Sequence, residues 1–153
     1  MALLFMLMLL SISAVAAAES WSMKRQRERE AELIWVGDQY RQAVESYWRA
    51  TPGPRKALPA RVEQLLNDDR FALPVHHLRR AYGDPLEDGR ELEPLLRNNT
   101  LVGVHSTLQG TPVKQGGFPA RYAGFAGAGS YDAWNFVFQP PALASLAPPP
   151  ARR

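Results

Sequence analysis

The 153-residue sequence has no cysteine. That excludes disulfide staples and thiolate metal sites, and it leaves the redox compartment open. Charge is missing from the start of the chain. Met1–Ala18 (MALLFMLMLLSISAVAAA) carries no ionisable side chain, and Glu19 is the first. Helix breakers are missing over a longer stretch, with neither Pro nor Gly before Gly37. A block of one-signed charge is also lacking. The 18 Lys and Arg against 15 Asp and Glu leave a net charge of +3, spread along the chain, so nucleic acid is not expected as a partner. There is no nucleophile elbow, Walker sequence or Gly-rich phosphate turn, so no enzymatic site and no cofactor are expected.

What the chain does have is helix. At ~1.5 Å per residue, Met1–Ala18 covers roughly 27 Å, close to the hydrocarbon thickness of a bilayer. In lipid its backbone groups must be satisfied internally, which demands a helix. Two readings compete. One is a secretory signal peptide, with Ala14, Ala16 and Ala18 suiting a cleavage site. The other is a permanent anchor. The anchor is favoured because no basic residue precedes the apolar run and because helix-forming sequence continues past it without a turn. Lys24, Arg25, Arg27 and Arg29 follow the run. By the positive-inside tendency they would hold the rest of the chain in the cytoplasm. An outward-facing domain is therefore expected to go with a short basic leader ahead of Met1.

Residues 19–51 read as an amphipathic helix continuous with the anchor. Leu33, Val36, Tyr40, Ala43, Val44 and Tyr47 recur at spacings of three and four and form one apolar stripe. Leu33, Val36, Tyr40, Val44 and Tyr47 are expected to pack on the domain. Asp38, Arg41, Gln42, Glu45 and Arg49 are expected on the opposite face. Gly37 weakens the helix by ~1 kcal/mol relative to Ala, so it is expected to permit close packing or a slight bend. Thr51-Pro52-Gly53-Pro54 stops the helix.

Residues 52–139 are expected to form one small domain. Leu58–Asn67 reads as a short helix with Val62, Leu65 and Leu66 inward, and His76–Tyr82 as a helical turn. Pro94–Arg97 and Leu101–Ser106 flank Asn98-Asn99-Thr100 and predict a β-hairpin. Gln109–Ser130 reads as a Gly-rich loop with too little periodicity for an element. Trp134–Gln139 (WNFVFQ) predicts a strand with Trp134, Phe136 and Phe138 on one face. The expected core is Leu65, Tyr82, Val102, Trp134, Phe136 and Phe138. Residues 140–153 read as a disordered Pro/Ala-rich tail. The fold class is α+β, with a long N-terminal helix on a three-stranded antiparallel sheet.

Candidate ligand sites are thin. His76, His77 and His105 have no acidic companion at metal-ligand spacing. Asp84-Pro85-Leu86-Glu87-Asp88-Gly89 lacks the alternating acids of a calcium loop and reads as a turn, with Asp84 bonding the backbone. Asn98-Asn99-Thr100 matches the glycosylation pattern, but a turn explains it equally well. Lys114 and Arg121 are expected to face solvent.

The order of these segments resembles the type II secretion pseudopilins, within the type IV pilin-like superfamily. The resemblance covers most of residues 1–139. It rests on the apolar helix running into REREAELIWVGDQYRQAVESYW (Arg27–Trp48), on the Pro-containing break and LPARVEQLL, and on LRRAYGDP (Leu78–Pro85). LVGVHS (Leu101–Ser106), Pro112-Val113-Lys114, Gly117-Phe118 and the Trp134-x-Phe136 strand also recur there. The resemblance implies a single-pass inner-membrane subunit with a periplasmic head. It also implies a filament built through the helix, at Met1, Phe5, Leu9 and Leu10. The implied partners are other pilin-like subunits, an assembly platform, a prepilin peptidase and membrane lipid. A minor type IV pilin for DNA uptake or adhesion, and a soluble periplasmic adaptor freed from its signal peptide, are the alternatives. Two departures stand out. If Met1 is the first mature residue, Phe5 occupies the position where the family carries a Glu; and the sequence shows no cleavage-site Gly ahead of the apolar run. The family's calcium loop corresponds to Thr107–Ala133, which holds only Asp132, so calcium is not carried over.

Overall fold

The computed structural model describes the backbone of residues 2–141, together with the side chains of Met6 and residues 21–141. The segment poor in helix breakers forms one α-helix, α1 (Ala2–Ala50), of 49 residues. Its end follows from Thr51 and the prolines after it. The Thr51 hydroxyl donates to Tyr47 O at 3.1 Å and Ala57 O at 3.2 Å. Lys56 Nζ donates to Arg49 O at 3.0 Å and Thr51 O at 2.6 Å. The last carbonyls of the helix are thereby occupied where Pro52 cannot continue the ladder.

A small head packs on the C-terminal half of α1. It contains α2 (Glu63–Leu66), β1 (Gly83–Asp84), β2 (Arg90–Glu91), β3 (Glu93–Arg97), β4 (Thr100–His105) and β5 (Phe136–Val137). β1 and β2 form a two-stranded antiparallel ribbon; β3, β4 and β5 form a three-stranded antiparallel sheet with β4 central. The expected hairpin is β3–β4. Asn98 and Asn99 turn it with φ of 51° and 61°, the left-handed pair of a two-residue turn whose twist matches the strands. A bulge interrupts the register between Leu95 and Leu96. β4 is buried at four successive positions, Leu101, Val102, Gly103 and Val104, as a strand covered on both faces must be.

Several expected elements are shorter or different. Of Leu58–Asn67 only α2 is helical, because Asn67 turns extended at φ −148°. His76–Tyr82 forms no helix: the amides of His77 and Leu78 both bond to Leu65 O instead, at 2.9 and 2.8 Å. The strand expected over Trp134–Gln139 keeps ladder pairing only at Phe136–Val137, continued by the bond from Phe138 N to Val102 O at 2.8 Å. The Gly-rich loop holds a 3-10 turn, Ala120–Phe125, with a second at Tyr131–Ala133. Pro140 is buried, so the head extends one residue past its expected end. The tail expectation for 142–153 lies outside the described residues.

The core forms where α1 meets the sheet. Leu33, Val36, Tyr40, Ala43, Val44 and Tyr47 are all buried, together with Leu65, Val102, Trp134, Phe136 and Phe138. Tyr82 corrects one expectation. It is half-buried at the core's edge, its ring meeting the exposed Trp35 edge-on at 5.3 Å. The Gly-rich loop supplies aromatics to the centre. Phe125 stacks on Trp134 at 5.5 Å and on Tyr122 at 4.9 Å, and meets Phe136 edge-on at 5.2 Å. Such pairs contribute about 0.5–1.5 kcal/mol beyond their buried area.

Phe136 fits because two glycines face it. A Cβ on Gly37 would lie 2.2 Å from the base of its ring, and one on Gly103 would lie 2.0 Å from its carbonyl oxygen. Gly37→Ala would gain ~1 kcal/mol in helix propensity. Overpacking a filled core costs about 1–3 kcal/mol, and the ring base has little room to give. With the overpacking cost at the upper end of that range, a net loss of about 2 kcal/mol is expected in denaturant melts. Gly116→Ala, which meets open space, serves as the neutral control. A Gly37→Ala protein as stable as the parent would show that the helix does not sit this close.

Candidate functional site: the junction of the long helix and the head

The long helix and the head meet along an extended joint, and the polar contacts there form the candidate functional site. Along α1 the buried stripe extends beyond its apolar members. Gln26, Glu30, Leu33, Gly37, Tyr40, Val44 and Tyr47 alternate four and three residues apart, so all seven share a face. Polar side chains on or beside this face make specific bonds to the head.

Glu30 is fully buried. Its Oε1 accepts from Val113 N at 2.6 Å and from the Tyr131 hydroxyl at 2.6 Å, and its Oε2 accepts from Lys114 N at 3.0 Å. Gln26 Nε2 donates to the same Tyr131 oxygen at 3.0 Å. Two successive backbone amides and a hydroxyl thus converge on one carboxylate, which is how a buried charge is made tolerable. The Tyr131 hydroxyl is pushed up to about 12, first by burial and then by its bond to Glu30.

Two turns further on, Asp38 accepts from Tyr122 Oη at 2.5 Å, Arg41 Nε at 2.9 Å and Gln42 Nε2 at 2.6 Å. Burial alone would raise its pKa; the three donors outweigh burial and hold the carboxyl below the usual range. Asp38 was expected to face away from the domain. It instead sits at the edge of the buried face, where Tyr122 reaches it. Exposed Arg121 approaches the same carboxylate at 3.4 Å, and Lys114 is half-buried with its ammonium 5.2 Å from the centre of the Phe118 ring. Arg121 is thus solvent-exposed as expected, whereas Lys114 is partly covered. Tyr40 Oη donates to Tyr82 O at 2.8 Å and accepts from Tyr82 N at 2.9 Å. At the helix end, Arg70 lies 3.5 Å above the centre of the Tyr47 ring, and it donates to Thr51 Oγ1 at 2.8 Å and Asp68 Oδ1 at 2.8 Å. Arg70 holds the buried Asp68 carboxyl well below the usual carboxylate range.

The expected packing residues Leu33, Val36, Tyr40, Val44 and Tyr47 are therefore brought together as anticipated. Of the expected assembly residues, Met1 lies outside the described residues, and Phe5, Leu9 and Leu10 belong to α1 without described side chains. Among the described residues no helix is long and apolar enough to cross a membrane. The segment expected to do so, Met1–Ala18, falls almost wholly outside the described side chains. Among the described residues there is also no group of three His, Cys, Asp or Glu that could hold a metal ion. The Asp84 turn is as expected, with Leu86 N donating to Asp84 Oδ1 at 2.7 Å. A cavity of about 480 Å³ opens between α1 and the 113–119 loop, lined by Arg27, Glu30, Ile34, Val113, Lys114 and Pro119 among others. The Glu30 oxygens there already hold three donors, so the cavity offers no free acid.

No family model, no curated protein and no solved structure matches the chain.

Two measurements test the joint. Glu30→Ala should leave Val113 N and Lys114 N unpaired and cost about 3 kcal/mol, since bonds to a charged group are worth ~1.5–3 kcal/mol each and partly re-form to water. Hydrogen exchange at those two amides should rise while β4 stays protected; equal exchange in both proteins would contradict the clamp. The second is alkaline melting. Tyr131 holds its proton more tightly folded than unfolded, from 10.0 up to about 12. Its contribution is whole below pH ~10 and is lost as pH climbs toward 12. The denaturant midpoint should fall across that window, less steeply in Tyr131→Phe, though not flat, because burial and Asp38 raise Tyr122 in the same direction.

Proposed function

We propose that this chain is a pilin-like structural subunit of a type II secretion pseudopilus. It waits in the bacterial inner membrane with residues 1–18 in lipid and its head in the periplasm. It then joins a filament through the apolar part of α1 and helps to move proteins across the outer membrane. The observation that carries this reading is the division of α1. The helix is unbroken from Ala2 to Ala50, yet the described hydrogen bonds to the head begin at Gln26. Trp21–Arg25 are all exposed. Ala2–Arg25 at ~1.5 Å per residue makes a rod of roughly 36 Å beyond the joint.

A rod with an apolar sequence has a use in two environments only. It is stable in lipid, or bundled with copies of itself, where burial at ~25 cal/mol per Å² replaces lipid contact. The joint suits that role. Force applied through the helix is passed to the head by buried bonds at Glu30, Asp38, Tyr40 and Arg70 rather than by a flexible linker. The Phe5 position, lacking the family's acid, removes a charge pair that would be costly in lipid; register then rests on packing.

The absence of native cysteine makes the test clean. Single substitutions Leu9→Cys and Leu10→Cys, oxidised in membranes with the secretion machinery present, should each give a disulfide-linked dimer, the limit for one thiol per chain. A cysteine at exposed Arg55 on the head should give none. Monomer alone at both helix positions, with the protein in the soluble fraction, would contradict the reading.

A further inference from the structure

At the far end of the joint, three side chains from separate segments form a chain of hydrogen bonds that the structural role does not require. Ser46, exposed on α1, has its Oγ 2.8 Å from His77 Nδ1. His77 Nε2 lies 3.1 Å from Asp68 Oδ2. The His77 and Asp68 side chains are 2 % and 1 % exposed.

The protonation pattern follows from the partners. Asp68 is an acceptor only, because Arg70 donates to both its oxygens, at 2.8 and 2.5 Å, and holds it ionised. His77 Nε2 must then carry the proton it gives to Asp68. Its Nδ1 is left with a lone pair, and the Ser46 hydroxyl donates to it. The ring cannot swing away. It is held at both nitrogens, by Ser46 and Asp68, and by the Tyr47 ring edge-on at 5.5 Å, while the backbone beneath it is fixed by the His77 N bond to Leu65 O at 2.9 Å. This is the division of labour of an acid, base and nucleophile, with the two ring nitrogens exchanged relative to the serine-protease arrangement. Ser46 opens onto a shallow hollow of about 550 Å³ lined by Gln42, Glu45, Ser46, Arg49 and Ala50. Arg49 is the cation in that lining, and it is paired there with Glu45.

We propose that Ser46 is a nucleophile, with His77 as its base and Asp68 as a positioning residue, and that it accepts the acyl group of short carboxylic esters with good leaving groups. As Ser46 Oγ bonds to the carbonyl carbon, its proton passes to His77 Nδ1. The tetrahedral intermediate collapses, the bond to the leaving oxygen breaks, and His77 returns the proton to that oxygen. Alcohol departs and acyl-Ser46 remains. A water activated through the same nitrogen then releases the acid and restores the hydroxyl. The open hollow and a lining cation already paired with Glu45 give limited oxyanion stabilisation, so both steps are slow; a good leaving group departs more easily than the Ser46 alkoxide, so deacylation is the slower step and the acyl-enzyme accumulates. The inference stands independently of the filament reading.

The test uses the full-length protein in detergent. A fluorophosphonate probe should label one serine to stoichiometry, Ser46 by peptide mass, and p-nitrophenyl acetate should release one equivalent of nitrophenolate in a burst. Ser46→Ala, which removes one exposed hydroxyl, should abolish both, and His77→Gln should slow labelling at least tenfold. The ¹⁵N shifts of His77 should report a protonated Nε2 and a bare Nδ1, with that preference lost in Asp68→Asn. The wild-type tautomer decides the same point should a buried-site variant fail to fold. No adduct at Ser46, labelling in His77→Gln at the parent rate, or a proton on Nδ1 would each overturn the proposal.

Discussion

Phe136 sits where two side chains are missing. Gly37 on α1 lies closer to its ring, and Gly103 on β4 closer to its backbone carbonyl, than a Cβ would allow. The distance between helix and sheet is set there. Once it is set, the stripe from Leu33 to Tyr47 buries in one core with Trp134, Leu101 and Val104, and Tyr122 and Phe125 close around the same ring. The polar bonds depend on it as well. A carboxylate such as Glu30 can meet Val113 N at 2.6 Å only if the helix axis is held at one depth. Dispersion and burial thus fix the separation, and hydrogen bonds fix rotation and register along the rod.

The sequence revealed the parts that repeat. Spacings of three and four located the buried face of α1. Two asparagines between apolar runs located the β3–β4 turn, since left-handed φ is something asparagine tolerates and most residues do not. It was poorer where structure comes from contact between distant segments. His77 and Leu78 leave the helical path because Leu65 O takes both their amides, and no local pattern announces that. The Gly-rich loop hid a signal that was readable: Phe118, Tyr122 and Phe125 are spaced four and three apart, the mark of a helical turn with one apolar side. Glu30 was legible too. An acid sitting in register with an apolar stripe is either an error or a buried anchor, and here it holds two loop amides. The Ser46–His77–Asp68 chain had no such signal, because three single residues 22 and 9 positions apart form no motif until the fold brings them together.

The bonds at the joint have a mechanical logic. They are distributed along α1 from Gln26 to Thr51 rather than concentrated at one turn. A load passing from rod to head is shared, and no single water molecule entering one site releases the whole. The exposed aromatics Trp21 and Trp35 lie on the same helix, Trp35 at the head's edge against Tyr82.

All of this has a use in a filament only if rod and head stay one molecule. Mass spectrometry of the protein purified from cells measures that directly. The account predicts a mature chain whose peptides run from the apolar segment through Glu19 into the head, with residues 2–18 still attached. A mature chain beginning at or near Glu19 would contradict it.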